Sequence, residues 1–143
     1  MVRTVVTEEE YLRFEEASET KHEFENGEIV AMSGVPPRHD RVTTGLLGLV
    51  INALEERECE PFTADVRVRA AGRTYYPDLS IACDPRFNDH RPPSLLNPRA
   101  IFEVLSPSTE HRDRGVKFAA YRQIPELREY VLVHTDQPLI ELY

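Results

Sequence analysis

A carboxylate inside an apolar strand is the sharpest chemical feature of this sequence. Glu103 stands between Phe102 and Val104 in the run AIFEVL, residues 100–105, which predicts a strand buried on both faces. Asp and Glu are rarely buried without a partner or a metal. The run therefore predicts a compensating cation near Glu103, although a structural ion pair or a solvated strand end would explain the same pattern.

A second carboxylate, Asp78, follows Pro77 near the start of the preceding predicted strand, Tyr75–Cys83. Pro-Asp alone is a common turn dipeptide. Strands that are consecutive in sequence are usually neighbours in a sheet, however, and two carboxylates on adjacent strands suit a hard cation such as Mg²⁺. We therefore expect Asp78 and Glu103 on one face. Without metal, burial and Asp78 should raise the pKa of Glu103.

The helix after the Glu103 strand can supply the cation. Asp113, Lys117 and Tyr121 are spaced four residues apart on a predicted helix over Asp113–Gln123, which places them on one polar stripe. Lys117 can orient or activate an attacking water there, with a surface helix lysine as the alternative. From this position we expect a hydrogen-bond network with both carboxylates and Tyr121. We also expect Lys117→Ala to leave folding largely intact.

The elements that must position these residues follow from periodicity and turn signals. The predicted helices cover Thr7–Ala17, Arg38–Glu56 (core face Val42, Leu46, Leu49, Val50 and Ala53) and Asp113–Gln123; a hairpin turns at Asn26-Gly27; further strands cover Thr63–Arg69, Tyr75–Cys83, Ala100–Leu105, Glu129–Val133 and Leu139–Tyr143. This order predicts one α/β domain over residues 1–143, a central mixed sheet flanked by helices with the Glu103 strand in the middle. The loop Asp84–Pro98 is expected to be mobile. The last strand pattern is cut short, which is expected either of a chain truncated at its C-terminus or of a short natural end.

Composition narrows the class of protein. Hydrophobic residues make up 41% of the chain, and the net charge is −8, which argues against a protein that coats nucleic acid through bulk positive charge. We find neither a membrane-length apolar run nor a secretory signal, so we expect no membrane partner and a cytoplasmic location. Cys59 and Cys83 are not in a C-x-x-C pair, which predicts two reduced, buried side chains and no zinc.

These motifs resemble a known family. Pro77-Asp78, then Glu103 in an apolar strand, resembles the signature of the PD-(D/E)XK nucleases. More closely, YPDLSIAC and NPRAIFEVLSPSTEHRDRGVKFAAYRQIPELREYVLV, with KHEFENGEIVAMSG and PRHDR before them, are similar to the Uma-two family of restriction endonucleases across essentially the whole chain. The resemblance implies a restriction-endonuclease-like fold and hydrolysis of DNA with Mg²⁺, with Mn²⁺ as a second metal and RNA not excluded.

The resemblance also assigns residues to the metal. It implies that Asp78, Glu103 and the backbone carbonyl of Val104 hold the ion. Leu105 stands where the superfamily places its strand lysine, which makes Lys117 the candidate for that role and puts catalytic competence in question.

Further acidic and basic residues are carried over less directly. Glu23 matches the additional acidic residue that many such nucleases place before the sheet, with Glu25 and Glu28 as rivals. His39 is a weaker candidate for substrate or proton contacts. Asp113 and Tyr121 would support Lys117.

Two other readings stay open. The chain can be a non-catalytic module that binds nucleic acid or a protein partner, which the acidic balance favours. It can be a glycosidase, although such an enzyme needs two carboxylates and no nearby lysine. Ser106 and Ser108 do not form a G-x-S-x-G elbow, so a serine hydrolase is disfavoured.

We also expect a homodimer, because a nuclease with one site per chain needs two chains to cut both strands of a duplex.

Overall fold

Four helices and ten strands make up residues 5–143, the part of the chain that the computed structural model describes. The helices are α1 (Glu8–Ala17), α2 (Pro37–Ala53), α3 (Glu110–Arg114) and α4 (Val116–Tyr121). The strands are β1 (His22–Glu25), β2 (Glu28–Ala31), β3 (Cys59–Thr63), β4 (Arg67–Ala70), β5 (Arg73–Tyr75), β6 (Leu79–Cys83), β7 (Ser94–Leu95), β8 (Ala100–Val104), β9 (Glu129–Val133) and β10 (Ile140–Leu142). Within these residues no helix is long and apolar enough to cross a membrane. The α/β class is confirmed, but the strands are divided between two mixed sheets instead of one.

The first sheet has the strand order β2-β1-β5-β4-β7. Its β1–β2 hairpin turns at Asn26 and Gly27, with φ values of 51° and 74°, the positive values that a tight two-residue hairpin requires. The hairpin prediction is confirmed. Helix α1 begins, as expected, where the Thr7 side chain accepts a 3.1 Å hydrogen bond from the backbone N–H of Glu10.

The second sheet has the order β10-β9-β8-β6-β3, so the Glu103 strand is central, as predicted. Strand β8 runs parallel to β9 and antiparallel to β6. Four of its five residues are buried and Phe102 is half-buried. Because both neighbours cover it, the strand can hold an almost continuous apolar run.

Helix α2 packs on this sheet through a narrower face than predicted. Val42 and Leu46 pack against the buried valines of β8 and β9, and Val50 is buried. Leu49 is 69% exposed and Ala53 is exposed, so both were wrongly placed in the core. Leu49 lies about 100° around the helix from Val50, which turns it towards solvent.

Two predicted strands are each broken into two. The strand predicted over Tyr75–Cys83 ends in the first sheet at Tyr75 and resumes in the second at Leu79. Pro77 lies in this break and has no N–H with which to continue a ladder. Likewise, the strand predicted over Thr63–Arg69 consists of the end of β3, a turn, and the start of β4. The break at Pro77 leaves Asp78 where the chain passes from one sheet to the other.

Two connecting regions also differ from the predictions. The helix predicted over Asp113–Gln123 is divided into α3 and α4 at Gly115, whose ψ of −99° is not helical. The mobility of the loop Asp84–Pro98 stays a prediction, but its second half contains β7 and is mostly buried. The buried side chain of Asn97 connects this half to the start of the loop. Its Oδ1 accepts a 2.7 Å hydrogen bond from the Arg86 N–H, and its Nδ2 donates a 3.0 Å hydrogen bond to the Asp84 carbonyl.

The two cysteines form a disulfide bond, contrary to the expectation of two free thiols. Cys59 and Cys83 are directly opposite each other on the antiparallel pair β3–β6 and are half-buried. Their sequence separation of 24 residues gave no hint of this pairing, because it depends on β3 and β6 being neighbours.

Candidate active site

Asp78 and Glu103 lie side by side at one end of the β6–β8 pair. Leu79 pairs with Phe102, and continuing this antiparallel register by one residue places Asp78 opposite Glu103. Residues directly opposite in an antiparallel pair project from the same face. Both side chains line one cavity of about 80 Å³, as the expectation of a shared face required.

Asp78 is held by two groups at the mouth of this cavity. Its Oδ2 accepts a 2.7 Å hydrogen bond from the backbone N–H of Val104 and lies 3.4 Å from Nε2 of His39. The hydrogen bond to Asp78 raises the pKa of His39, burial opposes this, and a backbone hydrogen bond to Val104 raises it further. His39 therefore contacts the same two groups, Asp78 and Val104, that the sequence assigned to the metal.

Glu103 is the buried acid that the apolar run predicted, with 3% of its surface exposed. Its Oε2 accepts a 3.0 Å hydrogen bond from Nζ of Lys117, while its Oε1 is buried without a hydrogen-bond partner among residues 5–143. Burial raises the pKa of Glu103 well above its usual range; Lys117 opposes the shift, and Asp113 and Asp78 add to it. The predicted direction is confirmed, and its largest cause is burial.

Lys117 is surrounded by carboxylates. Its Nζ lies 3.0 Å from Glu103 Oε2, 3.2 Å from Asp113 Oδ1 and 3.8 Å from Glu23 Oε2. Burial alone would lower the pKa of Lys117, but these three carboxylates raise it well above its usual range, so the ammonium keeps its proton. Lys117 is therefore the compensating cation that was predicted near Glu103.

The polar stripe expected on the helix is buried instead. Asp113, Lys117 and Tyr121 are 1%, 5% and 0% exposed, because they face the interior from the two short helices. The premise that Lys117 lies on an exposed stripe is therefore wrong, and we now expect Lys117→Ala to destabilise the fold. Tyr121 also does not join the hydrogen-bond network: its hydroxyl has no partner in the described chain, and its ring packs against Tyr75 and Tyr130.

Glu23, from β1, is the acidic residue of the first sheet that reaches the cavity. Its Oε2 accepts a 2.8 Å hydrogen bond from the Tyr76 N–H, and its Oε1 is 3.1 Å from Arg112. The rivals Glu25 and Glu28 line a neighbouring cavity of about 350 Å³.

Arg112 is the main site residue to which no role was assigned from the sequence. It bridges Glu23 and Glu25 across the boundary between the two cavities. Arg112 is one of several basic residues in a dense run, so the sequence pattern did not distinguish it from its neighbours. Ser106, which was considered only as a serine nucleophile and disfavoured, also lines the cavity.

The donor set suits a hard divalent cation better than a soft one. No three His, Cys, Asp or Glu side chains of residues 5–143 are grouped to hold a metal among themselves. Magnesium does not need three, because it binds through one or two carboxylates and keeps several waters. The buried Oε1 of Glu103 and the half-buried carboxylate of Asp78 are oxygens of that kind. The residues present therefore fit such an ion.

Comparisons with known proteins agree on the family and the fold. The family model Uma2, described as "Putative restriction endonuclease", matches residues 8–143. Two proteins of Synechocystis sp. (strain ATCC 27184 / PCC 6803 / Kazusa) are similar in sequence. "Uncharacterized protein slr1290" is 39% identical over 94% of this chain and 72% of its own length, and "Uncharacterized protein sll1609" is 39% identical over 90% and 75%.

A solved structure has the same fold. It is the crystal structure of "a putative nuclease belonging to DUF820" from Anabaena variabilis ATCC 29413, with a TM-score of 0.74, 16% sequence identity, and coverage of 96% of this chain and 84% of that one. The similarity extends over nearly the whole chain, so the shared fold includes both sheets.

Proposed function

Because the chain belongs to the Uma2 family of restriction endonucleases, we propose that it hydrolyses phosphodiester bonds of DNA with a divalent metal ion. One observation carries the proposal. Asp78, Glu103 and Lys117 line a single cavity, although they come from the junction of the two sheets, the central strand and a separate helix. Three ionisable groups brought together in a cleft, two with strongly shifted pKa values, are typical of a catalytic site.

The metal would be Mg²⁺ or Mn²⁺, held by Asp78, Glu103 and the backbone carbonyl of Val104. When bound, it would polarise the scissile phosphate and lower the pKa of a water molecule.

Lys117 would supply the fixed positive charge of the site. Its ammonium stays protonated, because three carboxylates surround it, and it can therefore donate a hydrogen bond to a phosphate oxygen or to the attacking water. Such a preorganised charge in a buried site acts more strongly than it would in water. Lys117 thus replaces, from the helix, the strand lysine that Leu105 cannot provide.

The surrounding residues would position these groups. Glu23 and Asp113 hold the ammonium of Lys117 between them, and His39 holds Asp78. Tyr121 would act only through packing, because its hydroxyl makes no hydrogen bond in the described chain.

Cleavage of supercoiled plasmid tests the proposal. Wild type should nick or linearise the DNA with Mg²⁺ or Mn²⁺, and EDTA should stop this cleavage. Asp78→Asn should abolish cleavage, although its amide oxygen can still accept a hydrogen bond from the Val104 N–H. Asp65→Asn is the matched control, because Asp65 is an exposed acid outside the cavity. RNA should be assayed in parallel. Equal cleavage by wild type and Asp78→Asn would refute the assignment of the site.

A non-catalytic binding module is the second candidate, and the same cavity supports it. Lys117 occupies Glu103 Oε2, and the Val104 N–H occupies Asp78 Oδ2, so much of the network is satisfied without any ligand. The absence of metal-dependent cleavage on DNA and RNA, together with measurable nucleic-acid binding, would favour this candidate.

We also propose that the protein assembles as a homodimer. A homodimer would present two sites to the two strands of a duplex, and sedimentation equilibrium at several concentrations would measure the oligomeric state.

The cytoplasmic location stays a prediction. The disulfide bond is unusual for a reducing compartment, so thiol titration of freshly lysed cells would be informative.

A further inference from the structure

The candidate active site is too small to hold more than a phosphate and an ion. Its volume is about 80 Å³, whereas pockets that enclose small molecules usually measure roughly 300–1,000 Å³. A second cavity of about 730 Å³ adjoins it and shares His39 and Ser106 with it. If a phosphate lies at Asp78 and Glu103, the nucleoside attached to it has this larger space beside it.

The lining of the larger cavity suits a nucleobase and its backbone. Leu105, Pro36 and Pro107 supply apolar surface, and the rings of His111 and His134 lie beside it. Unpaired bases stack on aromatic side chains, including histidine, and on arginine planes. The cavity therefore offers stacking surfaces next to the candidate active site.

The wall of this cavity carries basic residues together with the acids Glu110 and Asp136, which lie 3.3 Å from Arg114 and 3.8 Å from His134. Arg38, on the rim, and His111 make no side-chain hydrogen bond or ion pair within residues 5–143, so both are free to contact phosphate. Arg114 is held in place by Glu141 and lies 3.3 Å from Glu110. Its guanidinium plane therefore has a fixed position in the wall.

The other cavity that adjoins the site is less suited to a polyanion. It measures about 350 Å³, shares Arg112 with the site, and is lined by Glu25 and Glu28. The larger cavity is the better place for a nucleic-acid strand, because Arg38 has no ion pair among residues 5–143 and can contact phosphate there.

We propose that this larger cavity receives one unstacked nucleotide of the substrate strand, so that the protein acts on single-stranded or locally opened nucleic acid. This inference rests on the proposed nuclease function. A paired base cannot enter a concave pocket unless it leaves the helix, at a cost that is smallest when the strand is already unpaired.

Abasic scanning of binding tests the inference. The cleavage-deficient variant Asp78→Asn is titrated, by fluorescence anisotropy, with single-stranded oligonucleotides that carry one abasic residue at successive positions, in DNA and RNA series. Losing the one stacked base should weaken binding at a single position by about 5-fold to 150-fold. Fully paired duplex should bind more weakly than the same duplex with one mismatch.

Cavity variants and a matched control complete the test. Arg38→Ala and His111→Ala should each weaken single-strand binding by about fivefold or more. Arg41→Ala removes the same charge from the same helix outside the cavity and should change binding by about twofold or less. A flat abasic profile, equal binding of paired duplex, or an equal effect of Arg41→Ala would overturn the inference.

The two proposals fail separately. Plasmid cleavage by wild type with a flat abasic profile would remove the nucleotide pocket and leave the nuclease. A sharp abasic profile without cleavage of any substrate would leave the pocket and remove the nuclease.

Discussion

Replacing Lys117 with methionine tests whether the buried ion cluster is described correctly. Methionine keeps much of the length of the lysine side chain but removes the ammonium. The change leaves Glu103, Asp113 and Glu23 facing one another, all at 5% exposure or less, with Arg112 paired only to Glu23 and Glu25.

The expected loss of stability is large and depends on pH. Removing one partner of a buried ion pair typically costs about 3–5 kcal/mol. Because Lys117 is the charge that opposes the rise in the pKa of Glu103, the pKa should rise further in the variant. The folded variant then binds a proton that the unfolded chain releases, so its stability falls as pH rises above the ordinary carboxyl range, by at most about 1.4 kcal/mol per pH unit. Because burial already raises the pKa of Glu103 in wild type, the deficit relative to wild type should grow with pH over the range in which wild type has released this proton and the variant still holds it.

Urea unfolding of wild type and variant from mild acid to neutral pH measures this deficit. Lys21→Met is the matched control, since Lys21 is the other lysine of the chain and its side chain is 40% exposed, so its loss should cost about 1 kcal/mol or less. Adding Glu103→Gln to Lys117→Met should restore more than half of the loss, because it removes the unpaired carboxylate. A deficit under about 1 kcal/mol at every pH would refute the description of Lys117 as a buried counter-ion.

Three further predictions concern the rest of the fold. Reducing the Cys59–Cys83 disulfide should lower the free energy of unfolding by about 2–4 kcal/mol, and identical urea curves with and without reductant would contradict the bond. The Glu141 carboxyl, which Arg114 holds at a pKa of about 2, should titrate near that value by NMR. The stabilising effect of this carboxylate should be present above the ordinary carboxyl pKa and be lost as pH falls towards 2. Arg114→Ala should return the pKa of Glu141 towards its usual range, and an unchanged pKa would contradict the ion pair between Arg114 and Glu141. Thr7→Ala should cost about 1 kcal/mol by removing the helix cap, and an unchanged melting temperature would show that the cap contributes nothing.

Local sequence signals predicted the elements whose causes are local. The Asn26-Gly27 hairpin and the start of α1 at Thr7 were both predicted, because positive φ values and a capping side chain involve only neighbouring residues. The central strand was predicted from the run AIFEVL, since a strand covered on both sides can carry apolar residues almost continuously. The need for a cation near Glu103 was predicted for the same reason.

The division of the strands between two sheets could not be read from local pattern. The residues from Tyr75 to Cys83 have a continuous strand-like pattern, and only the packing of each half on different neighbours shows that the chain changes sheet near Pro77. The disulfide has a similar origin, because Cys59 and Cys83 meet only through the register of β3 with β6.

What the sequence by itself determined is the set of chemical groups: two carboxylates on consecutive strands, a lysine on the next helix, and the family to which they belong. What only the tertiary structure decided is their environment. A helical spacing says that Asp113, Lys117 and Tyr121 share a side, but not whether that side faces water. The break at Gly115 and the two sheets bury it, and burial makes Lys117 a structural counter-ion as well as a candidate catalytic cation.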